Sequence, residues 1–201
     1  MVKKTVRGIC AGIAILTGCC VFLACENTYV GAVLFSVALM SICMKGYALF
    51  TGKVGYLAEN CGKQDLEGTL TALLGNAIAT CLLGFVLAYA LPDLSARAQT
   101  ICSKKLLQAP GQTFFRSVFC GVLMYLAVSI YREKNTPLGI LWCIPAFILS
   151  GFEHSIADMG YFAISGIVSW QAFGFLWIVI AGNAVGGMLL PLLQRVSAEK
   201  K

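Results

Sequence analysis

Ser150-Gly-Phe-Glu-His-Ser-Ile-Ala-Asp-Met159 places a glutamate, an aspartate and the only histidine of the chain inside an otherwise apolar run, 137–168. That run is too long for one membrane helix, and a break at 150–159 divides it. Non-helical backbone at that depth is tolerated only where it is buried in protein or lines a polar cavity, and ionisable groups there usually face a cavity. The rest of the chain therefore reads as a membrane scaffold around this interruption.

The composition agrees. Of 201 residues, 59% are hydrophobic and 12% charged, and the mean hydropathy is +0.82, too apolar for a soluble domain of this length. A crossing helix needs about 20 apolar residues, whereas a β-barrel would show short alternating segments. The runs at 6–25, 28–44, 66–91, 113–132, 137–168 and 172–194 predict six helical spans. The second continues through Tyr47-Ala-Leu-Phe-Thr-Gly52, so it reads as broken, like the fifth. The basic start, Lys3, Lys4 and Arg7, followed by an apolar run resembles a secretion signal. Without a convincing cleavage site it is read as the first helix.

Lys3, Lys4, Arg7, Lys63, Arg132, Lys134, Arg195, Lys200 and Lys201 fall on one side of this arrangement, and Arg97, Lys104, Lys105 and Arg116 on the other. The positive-inside bias then places both termini in the cytoplasm and the chain in the plasma membrane. The net charge of +6 is mostly this bias, so no nucleic-acid partner is expected. Ten cysteines include no Cys-x-x-Cys pair, and most lie in apolar spans, where a thiol acts as a small hydrophobe. Only Cys61 and Cys102 are expected in loops. A metal site would need more histidines or a cysteine cluster, so neither metal nor cofactor is expected. Phosphate-binding loops and nucleotide fingerprints are absent, and nothing points to an enzyme.

An internal repeat is visible in Leu74-Gly-Asn-Ala-Ile78 and Ala181-Gly-Asn-Ala-Val185. Each follows a broken span at a similar distance. A three-helix unit crosses an odd number of times, so two in tandem, about 1–92 and 110–197, are inverted relative to each other. The prediction is an all-α membrane protein, one channel domain over 1–201, with six transmembrane helices, two of them broken. Its binding site lies near the midplane where the breaks meet.

Phe50-Thr-Gly52, Leu126-Ala-Val128, Gly151-Phe-Glu-His-Ser-Ile-Ala157 and Gly182-Asn183 with Gly186-Gly187 resemble, in order and spacing, the formate/nitrite transporter family. The resemblance covers nearly the whole chain and implies an aquaporin-like fold, a homopentamer in the lipid bilayer, and a pore in each protomer for small monovalent anions such as formate, nitrite or hydrosulfide. It also implies roles. His154 looks like the central pore histidine, Thr51 its partner, and Asn183 the polar residue of the last helix near the pore. Phe35, Leu39, Phe50 and Phe147 fall at the hydrophobic constrictions, and Lys105, with Lys104 beside it, at the vestibule lysine that attracts anions.

Elementary physics agrees with such a function. An unpaired anion cannot cheaply enter an apolar constriction, but these anions are conjugate bases of weak acids and can cross protonated. The proton would come from bulk water or from His154, whose unperturbed pKa lies near neutrality. Glu153 is expected to bond loop backbone or another helix. Several residues depart from the family pattern and are candidates for tuning. Asp158 stands where the family commonly has asparagine, four residues after His154, where an ionised carboxylate would raise the histidine's basicity. Lys53 replaces a small or amide residue, and Lys45 adds a charge that must pair, snorkel or line a wet vestibule. Gly121 stands where the family often has a pore-lining asparagine. A membrane thiol redox protein and an aquaporin-like path for neutral solutes are the alternative readings; the first lacks Cys-x-x-Cys and the second the paired Asn-Pro-Ala signature.

Overall fold

The computed structural model describes residues 2–198, so Lys200 and Lys201 of the charge argument lie outside the described residues. The described residues are helical and turn structure without strands. The helices are α1 (Val2–Ala24), α2 (Thr28–Lys45), α3 (Phe50–Lys53) with a 3-10 helix (Val54–Ala58), α4 (Lys63–Ala90), α5 (Pro92–Leu106), α6 (Pro110–Lys134), α7 (Leu138–Leu149), α8 (Ser155–Ser165) and α9 (Trp170–Ala198). Of these, α1, α2, α4, α6 and α9 are long and apolar enough to cross a membrane. The 12 residues of α7 and the 11 of α8 are each too short to do so alone.

Both breaks are built the same way. Gly46 ends α2 at φ 65° and Gly151 follows α7 at φ 68°; this left-handed conformation carries a Cβ penalty for other residues, which is why glycine stops both helices. Three residues then run to the next helix, 47–49 before Phe50 and 152–154 before Ser155. Leu49 and His154, the last of each three, have extended backbone at φ −98° and −113°.

The scaffold packs as two closely apposed pairs, α1 on α4 and α6 on α9. Small residues permit the approach. A Cβ on Gly75 would lie 2.5 Å from the Thr5 carbonyl oxygen, and one on Gly186 would lie 1.8 Å from that of Val118. Gly121 belongs to the same seam, since a Cβ there would lie 2.4 Å from the Asn183 carbonyl oxygen. The expectation that residue 121 is a pore-lining position is therefore corrected: it faces the backbone of α9, where no side chain fits.

Between the two pairs runs α5, which the apolar-run reading passed over because only one of its sides is apolar. It lies across helix ends. Arg97 Nη1 donates to the Leu23 carbonyl at 2.8 Å, at the end of α1, and Gln99 Nε2 donates to the Ser165 carbonyl at 3.1 Å, at the end of α8. These carbonyls have no partner within their own helices, so α5 satisfies them. Its inner side buries Ala98 and Cys102. Cys102 is thus a buried helix residue, not a loop thiol, while Cys61 is exposed as expected.

Candidate functional site

The two breaks meet at a buried hydrogen bond. Thr51, one residue into α3, has its Oγ1 2.9 Å from His154 Nε2, and both residues are buried. His154 is also the N-cap of α8, its Nδ1 accepting from the Ala157 amide at 3.1 Å. An imidazole nitrogen that accepts from a backbone N–H carries no proton. The ring is therefore neutral, with its proton on Nε2 donated to Thr51. Phe147 stacks on the imidazole at 5.7 Å between centroids and 22° between planes, and Phe35 meets Phe147 edge-on at 6.4 Å.

Asparagines hold each break open. Asn183 Oδ1 accepts from the Ser155 amide at 2.8 Å, and its Nδ2 donates to the Ser117 and Glu153 carbonyls, both at 2.8 Å. Asn76 does the same at the other break: Oδ1 accepts from the Phe50 amide at 2.9 Å, and Nδ2 donates to the Gly8 and Ala48 carbonyls at 2.8 and 2.9 Å. Each side chain serves an amide and a carbonyl of its break that would otherwise be buried without partners, and adds a bond to a carbonyl of a neighbouring helix, Gly8 of α1 or Ser117 of α6. Sequence reasoning assigned Asn183 a role and left Asn76 as a mere repeat mark; the shared Gly-Asn-Ala was the signal for both.

A cavity opens on either side of the Thr51–His154 bond. One, of about 690 Å³, is lined by Lys4, Arg7, Lys53 and Arg132, with Glu59 and Asp65, and reaches Leu39, Leu49 and Val128. The Arg132 guanidinium lies 4.0 Å over the Tyr56 ring at its wall. The other, of about 450 Å³, is lined by Lys104, Lys105 and Arg116 with Glu153 and Asp158, and reaches Phe35, Phe147 and His154. Arg7 and Phe22 border different cavities fifteen residues apart on α1, so the two lie about 22 Å apart along that helix. Phe50 is buried but lines neither cavity; Leu49 beside it does. Lys45 is exposed at the end of α2 and also lines neither, whereas Lys53 is exposed in the first.

In the second cavity Lys105 is held between two carboxylates. Its Nζ pairs with Glu153 Oε2 and, at 3.0 Å, with Asp158 Oδ1. Gln108 Nε2 donates to Glu153 Oε1 at 2.7 Å, a contact with no mark in the sequence. Burial alone would lower the pKa of the Lys105 ammonium, but Asp158 and Glu153 outweigh it and hold the lysine above its usual range. Lys105 therefore stays charged across physiological pH. The expectation that Asp158 would act on the His154 ring is corrected: both ring nitrogens are taken by Thr51 and Ala157, and the carboxylate reaches back to α5. Among the described residues no group of histidine, cysteine and carboxylate side chains is arranged to hold a metal ion.

Broken apolar helices that meet at one buried polar contact, with a basic cavity on either side, define a class of multi-pass membrane transport protein. The chain belongs to the formate/nitrite transporter family, matching it over residues 1–196. It is 27% identical over 176 residues to the nitrite transporter NirC of Salmonella typhimurium, covering 77% of this chain and 65% of that one. It is 31% identical over 193 residues to a probable formate transporter of Methanothermobacter thermautotrophicus, covering 79% and 70%. The chain thus spans about two thirds of the length of these curated relatives. The fold matches that of a pentameric formate channel solved with formate bound, at a TM-score of 0.84 and 22% identity over 99% of this chain and 97% of the other. The family is one of transporters and not of enzymes.

Proposed function

We propose that each chain forms a pore for small monovalent weak-acid anions, formate, nitrite or hydrosulfide, running from one cavity to the other past Thr51 and His154. The observation that carries this reading is the buried Thr51–His154 bond between two cavities rimmed by basic side chains. Lys4, Arg7, Lys53 and Arg132 on one side and Lys104, Lys105 and Arg116 on the other raise the local concentration of anions. Phe35 and Phe147 form one apolar constriction, and Leu39, with Leu49 and Val128, the other. The anion enters them protonated, because a bare charge there costs several kcal/mol.

Nitrite and formate transport by relatives, the former carried by a protein named for it and the latter by one called probable, supports this substrate class. The matching Asn76 and Asn183 bonds and the matching glycine stops support an inverted repeat, about 1–92 against 110–197, with α7 and α8 together making the sixth crossing. Likeness to a pentameric channel supports a homopentamer. The charge split supports a single plasma-membrane channel domain with both termini cytoplasmic.

Uptake into proteoliposomes at two pH values tests the reading. Formate, nitrite and hydrosulfide are expected to pass, faster at the lower pH. His154→Asn is expected to keep the fold, since asparagine caps helices well, and to slow uptake at both pH values. Uptake that ignores pH and serves chloride equally would count against the proposal.

A further inference from the structure

In the second cavity one ammonium, that of Lys105, is ion-paired with two buried carboxylates. Glu153 has both oxygens bonded, to Lys105 and to Gln108, whereas Asp158 bonds Lys105 through Oδ1 and has a buried Oδ2 with no partner. If both carboxylates were ionised, the trio would carry a net negative charge that its single cation does not balance. An uncompensated buried charge is strongly destabilising, and a buried acceptor without a donor adds to it. One more proton removes the excess charge, and the free Oδ2 is the atom able to take it.

No other group near Asp158 supplies that charge. From α1 and α6 the nearest titratable groups are the thiols of Cys19 and Cys120, from α5 the thiol of Cys102 beside Lys105, and on α8 itself the Tyr161 phenol; thiols and phenols are uncharged at neutral pH. From α4 the contact is Gly84 on Ala163, and from α9 the neutral amide of Asn183. The start of α8 would favour an anion, but its Ser155 and Ala157 amides are already given to Asn183 and His154. Lys104 and Arg116 line the cavity and pair with neither carboxylate.

We propose that Asp158 holds a proton on Oδ2 at neutral pH and is the proton donor to the permeating anion in this cavity. This rests on the channel reading above. In the step, the Asp158 carboxyl, which lines the cavity, turns its buried O–H toward the anion, and that bond breaks as an O–H bond forms on formate or nitrite, or an S–H bond on hydrosulfide. The neutral acid moves toward Phe35, Phe147 and His154, and the new Asp158 carboxylate is held by Lys105 until cavity water returns a proton. His154 is excluded as donor because its one ring proton is committed to Thr51.

Infrared spectroscopy of the purified wild-type protein tests the resting proton without any variant. A carboxylic-acid carbonyl band is expected at neutral pH, fading at alkaline pH, absent in Asp158→Asn, and shifted when the aspartate carboxyls carry carbon-13 but not when the glutamate carboxyls do. In liposomes with an entrapped pH dye, formate-driven acidification by Asp158→Asn is expected to be about tenfold or more slower than wild type at neutral pH, recovering partly as bulk acid rises. A missing band in the wild type, a band that shifts with labelled glutamate instead of labelled aspartate, or undiminished acidification by Asp158→Asn overturns the inference. If the wild type keeps the band but moves none of the three anions, the channel reading fails and the transfer step with it. If it moves them and the band is missing, this inference alone fails.

Discussion

Asn76 and Asn183 are the residues on which the geometry of the breaks depends. Each is fully buried and satisfies one backbone donor and two backbone acceptors. Alanine at either position leaves the amide and the carbonyl of its break without partners in a medium that offers no water, while the Gly8 and Ser117 carbonyls keep their bonds within α1 and α6. The expected cost is about 2–6 kcal/mol each, from two orphaned groups that typically cost about 1–3 kcal/mol apiece. Thermal unfolding in detergent should show both variants melting well below wild type by similar amounts, and an unchanged melting temperature for either would mean that the breaks do not need their clamps. Asn183 thus acts on the break through backbone, with both N–H groups of its side-chain amide committed to carbonyls. The histidine was legible from its solitary position in an apolar run. Its tautomer was not, because that follows from the Ala157 amide aimed at Nδ1.

At the scale of elements, the seam between α6 and α9 decides what Gly121 can be. An asparagine there would restore the commoner family residue, yet its Cβ would fall 2.4 Å from the Asn183 carbonyl oxygen and 2.8 Å from the Gly187 nitrogen. Helices packed this closely cannot absorb a side chain without moving apart. Gly121→Asn is therefore expected to abolish folded, extractable protein, read by size-exclusion chromatography of the solubilised membrane. A well-behaved variant with altered anion preference would return position 121 to the pore. The long helices were readable as apolar runs. The amphipathic α5 was not, since it is recognised only by the helix ends it closes, those of α1 and α8, and by the lysine it delivers to Glu153 and Asp158.

For the whole molecule, members of the two groups of basic residues line two separate cavities, Lys4 and Arg7 with Arg132 in one and Lys104, Lys105 and Arg116 in the other. The division by side inferred from the chain therefore matches a division in space. Large apolar side chains such as Tyr29, Phe115, Trp142 and Trp177 are exposed on the outside of the single chain, a surface to be covered by lipid or by neighbouring copies. Native mass spectrometry from mild detergent is expected to give five copies; a monomer that still conducts would remove the pentamer and leave the pore within each chain standing.

The order of residues along the chain determined the helical membrane class, the places of the two breaks and the identity of the residues that meet there, because apolar length, glycine stops and an isolated histidine are local signals. Only the tertiary structure decided what those residues bond to. Whether Asp158 faces His154 or Lys105, whether Gly121 meets a pore or a backbone, and which asparagine clamps which break depend on contacts between helices far apart in sequence. No local pattern specifies the partner of a buried polar group; the packing that excludes water around it does.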